Sequence, residues 1–190
     1  MLAYGFTGAD GRDLFDGAAW PAPTGDGPGA WAAAPAGSPL RGRVRGHRAS
    51  DLPFAIDDVL WVVELDGDVR EESRLVSARR GRLVSRIVGW DHACAAAFVR
   101  DCAARAATRV AAMPADGDRP LAEGYLDDLR RYAAESYSPA GAAGTAAYIG
   151  ARIAGIAAGP GGYAAGTVDE RAAQAAWLAE RLRLTETPGG

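Results

Sequence analysis

The chain has no lysine and no asparagine, and all 21 of its basic residues are arginine. Set beside the abundance of Ala, Gly, Pro and Arg, these absences match the codon bias of a very GC-rich genome. An arginine here stands wherever another protein would carry a surface lysine, so arginine enrichment alone does not signal recognition of phosphate or carboxylate. Cysteine is scarce: Cys94 and Cys102 stand eight positions apart in what reads as one helix. Eight residues are about 12 Å of helix rise, against the roughly 4.4–6.8 Å between Cα atoms that a disulfide allows. Two free thiols suit a reducing compartment and point to the cytoplasm. MLAYGFTGADGRD at the start has neither a charged leader nor a long apolar run, so no signal peptide is expected.

Motif absences narrow the chemistry. No C-x-x-C, H-x-x-x-H or H-E-x-x-H spacing occurs, so neither a metal site nor a cofactor is expected. Neither a G-x-S-x-G elbow nor a phosphate-cradling P-loop is present. A net charge of −3 and a pI near 5.4 leave no overall field that would collect on nucleic acid. Residues 140–159 are only weakly apolar and carry Arg152 in their middle, where a charge is costly in hydrocarbon, so no membrane span is expected.

What remains is an α+β layout: an N-terminal antiparallel β-meander followed by a C-terminal four-helix region packed on it. A chain of 190 residues fits a single domain, with a strand-rich half over 1–88, a helical half over 89–184 and a frayed tail over 185–190. LAYGF reads as a first strand, and Gly/Pro-rich residues 7–39 read as irregular, anchored by Trp20 and Trp31. VLWVVELDGDV, 59–69, is the clearest strand, with Trp61, Val63 and Leu65 on one side, Val62 and Glu64 on the other, and Asp66-Gly67 turning it. SRLVSARRGRLVSRIV, 73–88, reads as two more strands joined at Arg80-Gly81.

Helices are expected over 89–113, capped by Asp91 and with Phe98, Val99, Cys102 and Val110 recurring on a face. A second is expected over 121–137, with Leu121, Tyr125, Leu129 and Tyr132 as its apolar stripe. In a third, over 140–159, the ridge Ala147, Ala151, Gly155, Gly159 lets another helix come close. Thr167 and Glu170 have the spacing of a capping box opening the last helix.

The chemically distinctive segment is LRGRVRGHR, 40–48, with four arginines and a histidine in nine positions. If it is extended, period two places Arg41, Arg43, Arg45 and His47 on one face, with Gly42, Val44 and Gly46 opposite. Three guanidiniums in a row repel unless acid, phosphate or water opposes them. Three readings follow: a solvated edge strand, ion pairing with acids of the same chain, or a site for an anion or partner.

LAYGF, RVRGHRASDLPFAIDDVLWVVELDGDV, RLVSRIVGWDHACAAAFVRDCAAR and ERAAQAAWLAERLRL together resemble a group of uncharacterised small proteins from GC-rich bacteria. The resemblance covers most of the chain except the Gly/Pro-rich stretch and the 114–140 connection, and it brings no activity with it. In that group a histidine and a cysteine precede Asp-Leu-Pro, at the places of Arg45 and His47 here, and a second histidine falls at Arg152. Arginine stays charged near neutral pH and cannot shuttle a proton, so the resemblance implies binding without catalysis at those places, or positions never catalytic.

The leading expectation is a non-catalytic cytoplasmic binding or interaction protein. It would hold a small anionic molecule or an acidic protein partner on Arg41, Arg43, Arg45 and His47, with Arg152. The alternative is a small secondary-metabolic enzyme, of cyclase, isomerase or transferase type, with Tyr4, Trp20, Trp31, Trp61 and Trp90 lining a pocket. No nucleic-acid or membrane partner is expected, and the oligomeric state is open.

Overall fold

A computed structural model describes residues 1–13, 17, 19–25, 27–34, 42–135 and 138–189, without the side chain of Glu135. Arg41 therefore lies outside the described residues. The strands are β1 (Leu2–Thr7), β2 (Ala32–Ala33), β3 (Val44–Gly46), β4 (Val59–Asp66), β5 (Arg70–Glu71), β6 (Val76–Ala78) and β7 (Arg80–Arg86). A 3-10 helix spans Ala49–Phe54, and the helices are α1 (His92–Ala112), α2 (Arg119–Glu135), α3 (Pro139–Ala157) and α4 (Tyr163–Leu182). The fold is α+β, an antiparallel strand region followed by helices. It divides into two compact units, Met1–Asp91 with Leu178–Gly190, and His92–Trp177.

In the strand unit, β1, β4, β7 and β2 form one sheet in that order, and β3, β6 and β5 form another. β4 turns where expected, with Gly67 and Asp68 both at positive φ. The expectation of a second hairpin at Arg80-Gly81 is overturned. β6 and β7 are not partners: β6 pairs with β3 and β5, and β7 with β4 and β2, so 76–86 is one bent run broken at Arg79. Gly81 is not a turn residue; a Cβ there would lie 2.6 Å from the ring of Trp20, which occupies that space.

The bend joins the two sheets at one end, and a Tyr4–His47 antiparallel pair joins β1 to the end of β3 at the other. The strands thus close a circuit, β1 to β4 to β7, through Arg79 into β6, across to β3 and back to β1. Ala3, Trp20, Val44, Val63, Leu65, Val76, Ala78 and Leu83 fill it, so the expected side assignment of β4 holds. Of the segment expected to fray, 185–190, Thr185 and Glu186 are pinned to this unit. Thr185 O accepts from the Tyr4 hydroxyl at 3.1 Å, Glu186 O from Ala49 N at 3.0 Å, and Glu186 Oε1 from the Ser50 hydroxyl at 2.6 Å.

In the helical unit α1 buries Cys94, Phe98, Val99, Cys102, Ala106 and Val110, the expected face. The stripe of α2 is rotated from expectation: Ala122, Leu126 and Leu129 are buried, while Leu121 and Tyr132 are exposed. α3 starts with Ser138, whose hydroxyl accepts from Gly141 N at 3.2 Å, and with Pro139 in its first turn. Its small residues do admit a close neighbour: a Cβ on Gly155 would lie 2.8 Å from both the Tyr163 ring and the Thr167 hydroxyl. No helix among the described residues is long and apolar enough to cross a membrane.

Candidate functional site

The alternation read in 40–48 is present over the described residues 43–47. Val44 faces the core, and Gly46 is squeezed against it, since a Cβ there would sit 2.8 Å from the Cβ of Ala3. Arg43, Arg45 and His47 take the opposite side, but that side is not a wet face. Arg45 is 9% exposed and Asp13 is 6% exposed, and they form a two-pronged ion pair, Nε to Oδ2 at 3.1 Å and NH2 to Oδ1 at 2.9 Å. Arg43 donates to Asp68 Oδ2 at 2.9 Å, to the Asp68 carbonyl, to the Ser77 hydroxyl at 3.0 Å and to Ser77 O at 3.1 Å. The solvated-edge reading is corrected for these residues: acids of the same chain oppose the guanidiniums.

His47 is 4% exposed and its Nδ1 lies 3.2 Å from Arg74 O, so the neutral ring donates from Nδ1. Burial, then the nearby Arg45 guanidinium, push its pKa down to about 4, with Arg48 acting in the same sense and Asp13 against it. At neutral pH the ring carries no charge.

Arg152 belongs to the helical unit. Its NH1 donates to the Tyr148 hydroxyl at 3.1 Å, and its guanidinium carbon lies 4.9 Å from the Tyr125 ring centre and 5.9 Å from that of Tyr148. Among the described residues no carboxylate pairs with it, and its Nε has no hydrogen-bond partner. The Tyr148 hydroxyl bond and the Tyr125, Tyr148 and Tyr163 rings favour its charged form further still. Around it Tyr148 is 53% exposed, and Tyr163 also reaches solvent. Arg152 is thus a cation framed by tyrosines, whereas Arg43 and Arg45 are cations already answered.

No family model matches this chain, and neither does any curated protein or solved structure. The site has to be read from its own geometry.

A buried polar cluster in the helical unit is not foretold by the sequence pattern. α4 opens at Tyr163, not at Thr167, whose hydroxyl sits inside the helix and donates to Tyr163 O at 2.9 Å. The expected capping box does not form. Glu170 is 1% exposed and accepts from Arg105 Nε at 3.0 Å, Arg109 NH2 at 2.8 Å and Gln174 Nε2 at 3.1 Å. Gln174 Nε2 also donates to Ala147 O at 3.1 Å, and Arg105 is paired with Asp101 as well. Glu170 and Gln174 of α4 thereby tie that helix to α1 and α3 respectively. Beside it Cys102 is buried, and burial followed by the Glu170 charge pushes its thiol far above the range of a reactive cysteine. Among the described residues no group of three or more His, Cys, Asp or Glu could hold a metal ion.

Of the aromatic residues named for the alternative reading, Tyr4, Trp20 and Trp90 are buried and Trp61 packs against the core. Trp20 is in the core, Trp90 stacks edge-on with Phe6 at 5.5 Å and donates to Asp57 O at 2.9 Å, and Trp61 donates to the Thr7 hydroxyl at 3.2 Å. Trp31 lies between Arg80 and Arg82, each 4.6 Å from its ring centre.

Proposed function

We propose that this is a non-catalytic interaction protein that holds an acidic segment of a protein partner, and that the contact surface is the tyrosine-framed Arg152 rather than the arginine-rich strand. The observation that carries this reading is the contrast between the cations. Arg43 and Arg45 have carboxylates of their own, while Arg152, on an exposed face with Tyr148 and Tyr163, has none among the described residues. Tyrosine and arginine are the side chains most enriched at protein–protein contacts, because rigid rings bury area at low entropy cost and guanidinium forks match carboxylates. The groups a catalyst would use argue the same way. His47 is buried and neutral, and Cys102 is held as a thiol by burial. The resemblance marks the place of Arg152 as a histidine in relatives; a permanent cation there suits binding of an anion.

The test is calorimetric titration at low ionic strength with a glutamate-rich peptide ending in an amide. Wild type should bind saturably, and Arg152→Gln should weaken binding at least about tenfold, the loss of one or more charge-assisted hydrogen bonds. Arg130→Gln, on an exposed arginine of the same unit, should leave affinity unchanged. Loss of binding in Arg43→Gln with retention in Arg152→Gln would return the site to the strand and overturn the reading. Preferential, salt-sensitive retention on DNA would overturn it too.

A further inference from the structure

The strand circuit is closed on one side by very little. Between β1 and β3 the described residues form one backbone pair, Tyr4 N to His47 O at 2.9 Å and His47 N to Tyr4 O at 2.7 Å. β3 itself is three residues long, and its opposite edge pairs with the equally short β6. The residue that makes the closing pair also carries a buried imidazole. Among the described residues its surroundings have no spare anion. From its own segment Arg45 and Arg48 face it, and from the loop after β1 comes Asp13, already bound two-pronged by Arg45. Arg48 is fixed by Asp51 of the 3-10 helix at 3.0 Å, by Glu71 of β5 at 3.3 Å and by Glu72 O at 2.7 Å. From the stretch before β6, Arg74 presents its carbonyl to Nδ1, while its guanidinium stacks on Phe54 at 4.6 Å.

A proton added to this ring would place a third cation between two that cannot retreat, in a site closed to water. The cheapest escape is to break the single backbone pair and let the His47 segment swing off β1. We infer that His47 is an acid-sensitive latch: neutral, it keeps the β1–β3 seam shut, and protonated, it opens that seam while the helical unit stays folded. The idea is independent of the binding role given to Arg152.

The sign follows from the two states. The closed ring titrates near 4 and an exposed one near 6.5, so between those values the open form takes up a proton that the closed form refuses. Closure is complete above about pH 6.5, weakens as pH falls towards 4, and levels off below. Between pH 7.5 and pH 5 these two values give a roughly 30-fold rise in the open population.

The experiment is amide hydrogen exchange by NMR on the full chain, corrected for intrinsic rates. Protection of the Tyr4 and His47 amides should fall roughly 30-fold from pH 7.5 to pH 5. Protection of Phe98 and Ile153 in the helical unit should hold. His47→Gln should flatten the pH response of Tyr4. If that variant does not fold, the imidazole carbon shifts of wild type decide: His47 should titrate well below the 6.5 of a free imidazole. Unchanged seam protection across the range, a His47 midpoint at or above 6.5, or a pH response that persists in His47→Gln would each overturn the latch. The last of these would assign the effect to carboxylates such as Asp57.

Discussion

Replacing Glu170 by glutamine tests the buried network that ties the helical unit. The carboxylate accepts from Arg105, Arg109 and Gln174, and both oxygens are occupied. An amide keeps one acceptor and turns the other position into an N–H donor, which then faces a guanidinium or the Gln174 amide donor. Removing one partner of a buried ion pair costs about 3–5 kcal/mol. Arg105 and Arg109 are 23% and 31% exposed and regain part of their hydration, so a loss of about 2–3 kcal/mol is expected. Urea unfolding followed by ellipticity at 222 nm reads mainly the helices, and exchange of the Phe98 amide gives an independent measure. A second variant separates charge from volume: Glu170→Leu with Arg105→Leu and Arg109→Met replaces the network by apolar bulk. It should recover to within about 1 kcal/mol of wild type, because well-packed apolar groups commonly match a buried ion pair. A loss below about 0.5 kcal/mol in Glu170→Gln would refute the reasoning, as would a triple variant no more stable than the single one.

Three further outcomes are expected. Gly155→Ala should cost about 1–3 kcal/mol in the same urea assay, since its methyl would meet the Tyr163 ring and the Thr167 hydroxyl at 2.8 Å. Both thiols should resist Ellman's reagent at pH 8 in the folded protein and react at once in urea, because Cys94 and Cys102 are buried and burial raises the Cys102 pKa. Asp57 holds its proton more tightly than a free carboxyl, chiefly through burial and then through its acidic neighbours Asp58, Asp13 and Asp10. Its ionisation therefore opposes folding at neutral pH, so Asp57→Asn should be at least as stable as wild type at pH 7. Thermal scans should show that advantage shrinking as the pH falls and the wild-type carboxyl becomes neutral.

The legible parts of this fold were those written in local pattern. The alternation of 59–66, the turn at Gly67 and the buried face of α1 follow from side-chain periods of two and of about 3.6. What escaped depended on residues far off in the chain. Arg80-Gly81 looks like a turn until Trp20 is seen to occupy the space above the glycine. Thr167 and Glu170 carry the spacing of a cap, but Arg105 and Arg109, more than sixty positions earlier, claim the carboxylate. The same holds for the candidate site. Period two grouped Arg43, Arg45 and His47 correctly, yet no local signal announced Asp13 and Asp68 as their partners. Arg152 could be named from sequence, but the tyrosines that frame it come from α2, α3 and α4.

The division of the chain has a consequence for biosynthesis. The strand unit is assembled from Met1–Asp91 and from Leu178–Gly190, with all of the helical unit between them. On the ribosome, 1–91 is followed by 93 further residues before Thr185 and Glu186, the partners of Tyr4 and Ala49, exist. The helical unit, continuous in sequence, has no such wait and can fold as it emerges, although it is synthesised second. Until Thr185 and Glu186 arrive, the Tyr4 hydroxyl and the Ala49 amide lack the partners that those residues supply.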